Sequence, residues 1–466
     1  MKQQREHWGS RIGFVLAAAG SAIGLGSLWK FPFLVGKHGG GLFVLLYIFF
    51  TFLISLPIFL AELVIGRHTQ RSPIFAYSEL SEHSPHWKLV GWFNVITSFI
   101  ITSFYCVIGG WCVNYALMSL SHFTVGRSTE EIRNVFTVMA RSGDINIFWF
   151  LVFLILNIGI VYGGIRKGIE YWSKILTPLL FILLFGLFIY STTLPGFVDA
   201  VKFIFCPDLS LASPSTVLNA LGMSFFTISV GLGIIVTYGS YMKSSEDIPK
   251  TGLIVASMTV LVSIMTTLII FPIIFTFNFP TEGGPGLIFQ ALPVLFSKLP
   301  GTLVLSTLFF ILVVFTALTS SISLFEVLVA NLMELLSWPR GRSVLISAAG
   351  TFVLGIPSAL AGSKYLFPSW TAMYGQGNDF MNTLDNLASN WMMPIAALLT
   401  TLFLGWNVSR QLIYEEFLKG TSLGYLMKGW FFLIRWIAPI AIILIILQEG
   451  KVIEFNKLFT FFQKQP

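Results

Sequence analysis

Gly20-Ser21-Ala22-Ile23-Gly24-Leu25-Gly26 interrupts an apolar run from about Ile12 to Val35, and Ser229-Val230-Gly231-Leu232-Gly233 interrupts another from about Thr216 to Tyr238. In hydrocarbon every backbone amide and carbonyl needs a partner, so unwound backbone survives only beside a cavity or a bound polar ligand. A matched pair of breaks, one in each half of a chain, is the pattern of a secondary transporter with its site near the membrane midplane. Close packing through small residues accounts for one such cluster. It does not account for two in corresponding positions.

The rest of the chain agrees with a membrane setting. Of 466 residues 55% are hydrophobic and 11% charged, and the mean hydropathy is +0.81. Runs long enough to cross a bilayer fall near 12–36, 41–66, 90–121, 146–163, 171–192, 215–240, 251–277, 301–336, 343–361, 387–406 and 425–447, eleven spans in all. Span 1 opens directly after Lys2, Arg5 and Arg11, and no cleavable leader is expected. The tail from Gly450 to Pro466 is broken by Lys451, Glu454 and Lys457 and is not expected to cross.

With the N-terminus placed in the cytoplasm, 17 of the 28 Lys and Arg residues fall on the inner side. The net charge of +7 therefore reads as topology under the positive-inside rule, not as nucleic-acid affinity. Eleven spans put the C-terminus outside. Cys106, Cys112 and Cys206 have no metal or redox spacing and are expected to pack in the interior. No catalytic triad, phosphate loop or nucleic-acid motif is visible, and the histidines lie mostly in loops or near span ends.

Spans 1–5 (residues 1–200) and 6–10 (201–424) form two halves that each open with a broken helix, which implies an inverted repeat. Span 11 and the tail (425–466) stand outside it. The connection at 278–300, with Thr281-Glu282-Gly283-Gly284-Pro285-Gly286, reads equally as an outer lid or a glycine-rich connector.

Several motifs carry a resemblance. Arg5-Glu6-His7-Trp8 with Arg11, the run Ala19 to Pro32, Gly39-Gly40-Gly41, Glu62 to Arg67, Ser224 to Gly233, Thr237 to Tyr241 and Leu318 to Ser323 resemble the neurotransmitter:sodium symporter family. Bacterial amino-acid transporters of the leucine-transporter type are the nearest kind. The resemblance covers spans 1–10 in order. It implies an all-α membrane protein of five plus five helices in inverted repeat, here with one extra helix, unwound in spans 1 and 6.

Thr316, Thr319 and Ser320 stand at i, i+3 and i+4, on one face of span 8. By the resemblance, the carbonyls of Gly20, Ile23 and Thr316 and the hydroxyls of Thr319 and Ser320 form the family's second sodium site. The bland alternative is hydroxyls bonded back to their own helix. For the first sodium site, Ala22 and Thr227 match the family, while Ser27 and Thr259 stand where it has asparagines. Tyr47 and Ser263 match the pattern of chloride-dependent members, but Met223 replaces a glutamine, and no span-7 carboxylate stands in for the anion. One or two sodium ions are expected; a chloride requirement stays open.

For substrate, the resemblance and the half-helix N-terminus at Leu25 and Gly26 both suit a carboxylate. Tyr105 aligns with the tyrosine that bonds it. The amino group would meet the carbonyls of Ala22, Phe226 and Thr227 and the hydroxyl of Ser229. Gly24 stands where amine transporters carry an aspartate, so a zwitterion fits better than a monoamine. Ile101, Phe226, Leu232, Ser320 and Leu324 should line an apolar side-chain pocket, in which an unpaired charge would cost several kcal/mol or so.

Lys30 with Asp385 should close the outer side. Arg5 with Glu334, assisted by Trp8, Ser240 and Tyr241, should close the cytoplasmic side. Glu62, deep in span 2, is expected to hydrogen-bond behind the sodium site, since an unsatisfied carboxylate there costs about 2.5–3.5 kcal/mol. The expectation is a sodium-coupled importer of a neutral, hydrophobic L-amino acid in the bacterial inner membrane, working by alternating access, and not an enzyme. A sodium-independent exchanger and a non-transporting amino-acid sensor are the alternatives. Amino acid and lipid are the expected partners, nucleic acid is not, and monomer and homodimer both stay open.

Overall fold

The computed structural model describes residues 5–81, 85–279, 286–363, 366, 379–450 and 452. Among these every regular element is helical. Nine continuous helices are long and apolar enough to cross a membrane: Gly41–Thr69, Lys88–Leu120, Gly143–Tyr162, Ile165–Ser191, Ile248–Thr276, Thr302–Leu336, Arg340–Ala359, Phe380–Asn407 and Gly424–Glu449. These are spans 2–5 and 7–11. Span 1 is the pair Arg11–Ala22 and Gly26–Lys37, bent by 51°. Span 6 is the pair Pro214–Ile228 and Ile234–Gly239, neither long enough to cross alone.

Local chemistry sets both broken spans. The Ser10 hydroxyl caps the first half of span 1 by accepting from the Gly13 amide, and Ser213 does the same for Thr216 at the start of span 6, with Pro214 in the first turn. The span 1 break is shorter than the glycine pattern suggests. The helix runs on through Gly20 to Ala22, and only Ile23 and Gly24 are irregular, because the alanines around Gly20 favour the i→i−4 ladder. The span 6 break matches the expected residues. Ser229, Gly231 and Gly233 have φ of 60°, 80° and 70°, a region that glycine enters without the Cβ penalty.

Span 3 lies along span 8, and the first half of span 1 packs between spans 5, 7 and 8, so the two breaks are central and enclosed. Span 2 meets the second half of span 6 at backbone distance. A methyl group on Gly66 would stand 2.2 Å from the Val236 carbonyl oxygen. The connections between spans 3 and 4 and between spans 5 and 6 carry helices Thr129–Arg141 and Phe197–Phe205. Cys106 and Cys112 are buried, whereas Cys206 is exposed in that second connection; a loop cysteine has no core to join, which corrects the packing expectation. Residues 281–285 of the expected lid, and nearly all of the tail, lie outside the described residues.

Span 11 is tied to span 2: the Trp430 indole donates to the Pro57 carbonyl at 2.9 Å. Before it, helix Arg410–Leu418 is held by Glu416, which accepts from Arg67 Nε and Lys419 Nζ, both at 2.6 Å, with His68 at 3.5 Å. Burial is the largest single influence on Glu416 and pushes its pKa up. The bonds from His68, Lys419 and Arg67 together outweigh it, holding the carboxyl at about 2 against an ordinary 4.5. A depressed acid contributes stability above its unfolded pKa and loses it as pH falls through the folded one. The stability gap between the unaltered protein and Glu416→Gln should therefore be constant above about pH 4.5 and shrink between 4.5 and 2. Thermal unfolding in detergent across that range measures it.

Candidate functional site

Between the two breaks lies a cavity of about 50 Å³, lined among others by Ala22, Gly24, Leu25, Gly26, Ile101, Tyr105, Phe226, Thr227, Ser229, Leu232, Ser320 and Leu324. All twelve residues expected at the substrate are thus brought together, from spans 1, 3, 6 and 8. The lining also includes Ser21, Phe104, Ile234 and Met393, which the sequence reading omitted. Phe104 was findable, being three residues from Ile101 on the face that carries Tyr105. Nothing local marks Met393, which reaches the cavity from span 10.

The exposed backbone of the breaks is satisfied group by group, as burial in a membrane protein demands. The Leu25 amide donates to the Tyr105 hydroxyl at 3.2 Å. Gly231 donates to Glu62 Oε1 at 2.7 Å, and Ser98 donates to the Leu232 carbonyl. Glu62 therefore hydrogen-bonds as expected, and what it secures is the span 6 break, at an amide that the unwinding leaves without a helical partner.

On the other side of the cavity, Ser320 Oγ lies 3.4 Å from the Gly20 carbonyl oxygen, 3.0 Å from that of Ser21 and 3.5 Å from that of Ile23. Thr319 Oγ1 lies 3.1 Å from the Thr316 carbonyl and 3.0 Å from that of Phe315. Ser320 thus gathers three carbonyls of the span 1 break, whereas Thr319 bonds within its own helix. Ser27 is fully buried and its hydroxyl has no hydrogen-bond partner among the described residues. Thr259 instead donates to its own helix at Val255, 2.9 Å away. Tyr47 donates to Thr227 at 3.1 Å and lies 3.2 Å from Ser263. Thr227 and Ser263 in turn donate to carbonyls of their own helices, at Met223 and Thr259.

The sodium:neurotransmitter symporter family profile matches residues 5–134 and 127–462, which together take in nearly the whole chain. The chain belongs to this family. It is 36% identical to the sodium-dependent transporter YhdH of Bacillus subtilis, over 97% of this chain and 100% of that one. A sodium-dependent transporter of Haemophilus influenzae is 32% identical, over 96% and 98% of the two chains. Among solved structures, MhsT in complex with L-phenylalanine is 36% identical with a TM-score of 0.86, over 96% of this chain and 100% of that one. The protein is thus a membrane transporter and not an enzyme. Its fold is the leucine-transporter fold, an inverted repeat of five plus five helices followed by one more.

As a member of the sodium:neurotransmitter symporter family the chain needs a barrier on each side of the cavity, and the two sides differ. On the face that carries the N-terminus, Arg5 donates to Glu334 at 2.9 Å and to Ser240 at 3.0 and 2.6 Å, and it lies over the Tyr241 ring at 4.9 Å. Trp8 is fully buried and its indole donates to the Tyr238 carbonyl at 3.0 Å. Arg5, Trp8, Ser240, Tyr241 and Glu334 are thus brought together, and Arg71 joins them by donating to Glu334 at 2.8 Å.

A second ionic layer beneath it was not anticipated. Glu326, fully buried in span 8, accepts from the Tyr241 hydroxyl at 2.7 Å and forms a two-pronged pair with Arg340. Arg340 also donates to the Val161 carbonyl at 2.8 Å. The available signal was the one applied to Glu62: a carboxylate inside an apolar span requires a partner.

Toward the opposite face, Lys30 and Asp385 line a second cavity of about 170 Å³, but among the described residues no ion pair joins them. Instead Lys30 Nζ sits 4.6 Å from the Phe226 ring centroid, and Asp385 accepts from Ser389 at 2.7 Å. The two charges stand apart in this structure. A lysine ammonium lacks the bidentate fork that lets arginine hold a carboxylate, and the cation finds an aromatic face instead. Tyr105 and Phe226 border both cavities. With Leu25, Gly26 and Phe104, which also border both, they form the partition between them.

Proposed function

We propose that the protein is a sodium-coupled importer of a neutral, hydrophobic L-amino acid, bound in the 50 Å³ cavity. The observation that carries this reading is the apolar lining beyond the two breaks, with no formal charge among the lining residues. The substrate carboxylate takes the Leu25 and Gly26 end of the half-helix with Tyr105, and its ammonium takes the carbonyls of Ala22, Phe226 and Thr227 and the Ser229 hydroxyl. A bound phenylalanine in MhsT supports the same class of substrate, and sodium dependence in YhdH supports the coupling ion.

One sodium ion is assigned to Gly20, Ile23, Thr316, Thr319 and Ser320. A second is assigned to Ala22, Ser27 and Thr227, with the unpartnered Ser27 hydroxyl as its support and Thr259 the weakest member. Chloride has no comparable support, because Tyr47 donates to Thr227 and Ser263 donates to the Thr259 carbonyl. Residues 1–200 and 201–424 are the repeat halves and 425–466 the appended segment. The location is the inner membrane with the N-terminus cytoplasmic, so Arg5–Glu334 is the inner gate and the 170 Å³ cavity the outer vestibule.

In the transport cycle, sodium and substrate enter from the vestibule past Tyr105 and Phe226, which then cover them as Lys30 and Asp385 draw together. Release follows when Arg5–Glu334 and the Arg340–Glu326–Tyr241 layer part. One charge crossing ~100 mV supplies about 2.3 kcal/mol and a tenfold sodium gradient about 1.4 kcal/mol. Together these suffice for accumulation of a few hundredfold.

A sodium-independent exchanger has one observation in its favour: the Thr319 hydroxyl is within bonding distance of its own helix carbonyls. Uptake of labelled Leu, Trp and Ala into proteoliposomes, with and without an inward sodium gradient, separates the readings. Accumulation above equilibrium only with sodium supports the symporter. Exchange that ignores sodium supports the other reading, and saturable binding without uptake supports a sensor.

Gly26 offers a sharper check on the partition. A methyl group there would stand 2.3 Å from the Phe226 ring, so Gly26→Ala must push Phe226 off the cavity. The expected result is a rise of at least about tenfold in substrate KM, the order of one lost apolar contact in a pocket, read from initial uptake rates.

A further inference from the structure

We infer that Met393 of span 10 sets the largest substrate side chain the cavity accepts; this rests on the reading of that cavity as the amino-acid site. The cavity holds about 50 Å³, where one water alone needs roughly 10–15 Å³. A bulky apolar amino acid therefore fits only if part of the wall gives way.

The walls are not equally able to yield. Ile101 and Ile234 are β-branched and stiff at χ1. Leu232 sits in the span 6 break with its carbonyl tied to Ser98, so displacing it disturbs the break itself. Phe226 carries the Lys30 ammonium on its ring. Met393 is the unbranched apolar member of the lining, with three rotatable bonds and a polarisable thioether suited to filling irregular space.

Its backbone, by contrast, is fixed. A methyl group on Gly231 would stand 2.5 Å from the Met393 carbonyl oxygen, so span 10 rests directly on the span 6 break. A π-type turn over Leu387–Met392 precedes it and Pro394 follows; such turns re-aim side chains at functional positions. Met393 is 2% exposed, so its side chain can only repack inside the protein. A small substrate leaves the thioether extended into the cavity, and a large one turns it aside.

The experiment compares kcat/KM for sodium-driven uptake of Trp and of Leu into proteoliposomes, taken as the Trp-to-Leu ratio within each preparation so that any misfolded fraction cancels. Met393→Ile, similar in volume but branched, should lower that ratio at least about tenfold. Met393→Ala, which opens the wall, should raise it. Ratios unchanged within about twofold in both variants, or shifted in the same direction, overturn the inference while leaving the symporter reading intact. If the unsubstituted protein accumulates no neutral amino acid under a sodium gradient, the reading and the inference both fall.

Discussion

Arg340→Met is expected to destabilise the folded transporter by about 3–5 kcal/mol, because it leaves one member of a buried ion pair alone. Glu326 has no solvent access and its other partner, the Tyr241 hydroxyl, is neutral. Arg340 also closes the N-terminal face by bridging span 8 to the Val161 carbonyl at the end of span 4. The variant should therefore show both a lower unfolding temperature in detergent and faster labelling of a cysteine placed at Thr237, a fully buried position whose hydroxyl bonds only to its own helix. The double variant Arg340→Met with Glu326→Leu separates the two effects. Replacing both charges by apolar groups should recover most of the stability, while labelling stays fast because the bridge is still gone. Labelling that stays slow in Arg340→Met, or that slows again in the double variant, would show that the pair does not hold this face shut.

Thr319→Val and Ser320→Ala are each expected to raise the sodium concentration for half-maximal uptake by about ten- to a hundredfold. Each substitution deletes one oxygen, and bonds to charged partners are worth about 1.5–3 kcal/mol. Thr319→Val is the more decisive because it keeps the shape. A hydroxyl that only caps its own helix at Phe315 and Thr316 can be removed at small cost, and sodium dependence would then be unchanged. A built methyl on Gly20 would stand 3.1 Å from Thr319 Cβ, so the side chain already presses on the span 1 carbonyl segment. Ser320 faces three carbonyls of that segment, and its removal should weaken sodium and substrate together. Counterflow of a labelled amino acid at varied sodium measures both.

Much of the site was legible because it is written in local rules. The glycines of both breaks, the i, i+3, i+4 spacing of Thr316, Thr319 and Ser320, and the apolar run lengths depend on residues a few positions apart. The exact edge of the span 1 break was not legible. Gly20 permits unwinding, but the ladder persists through it, and only the packing of Ile23 to Leu25 against Tyr105 and Ser320 decides where the helix stops.

By itself the sequence determined that this chain crosses a membrane, that two of its spans are broken at corresponding places, and that polar oxygens and an apolar wall face those breaks. These follow from hydropathy, helical periodicity and the conformational freedom of glycine, all properties of neighbouring residues. Only the tertiary structure decided that Glu62 serves Gly231, that Lys30 rests on Phe226 and not on Asp385, that Arg340 neutralises Glu326, and that Met393 walls the cavity. All but one of these pairs join residues far apart in the chain. Even Glu326 and Arg340, 14 positions apart, meet only because the chain turns back between spans 8 and 9. Charge and shape restrict such partners to many candidates, and the distance each side chain must reach, fixed by how the helices pack, selects one.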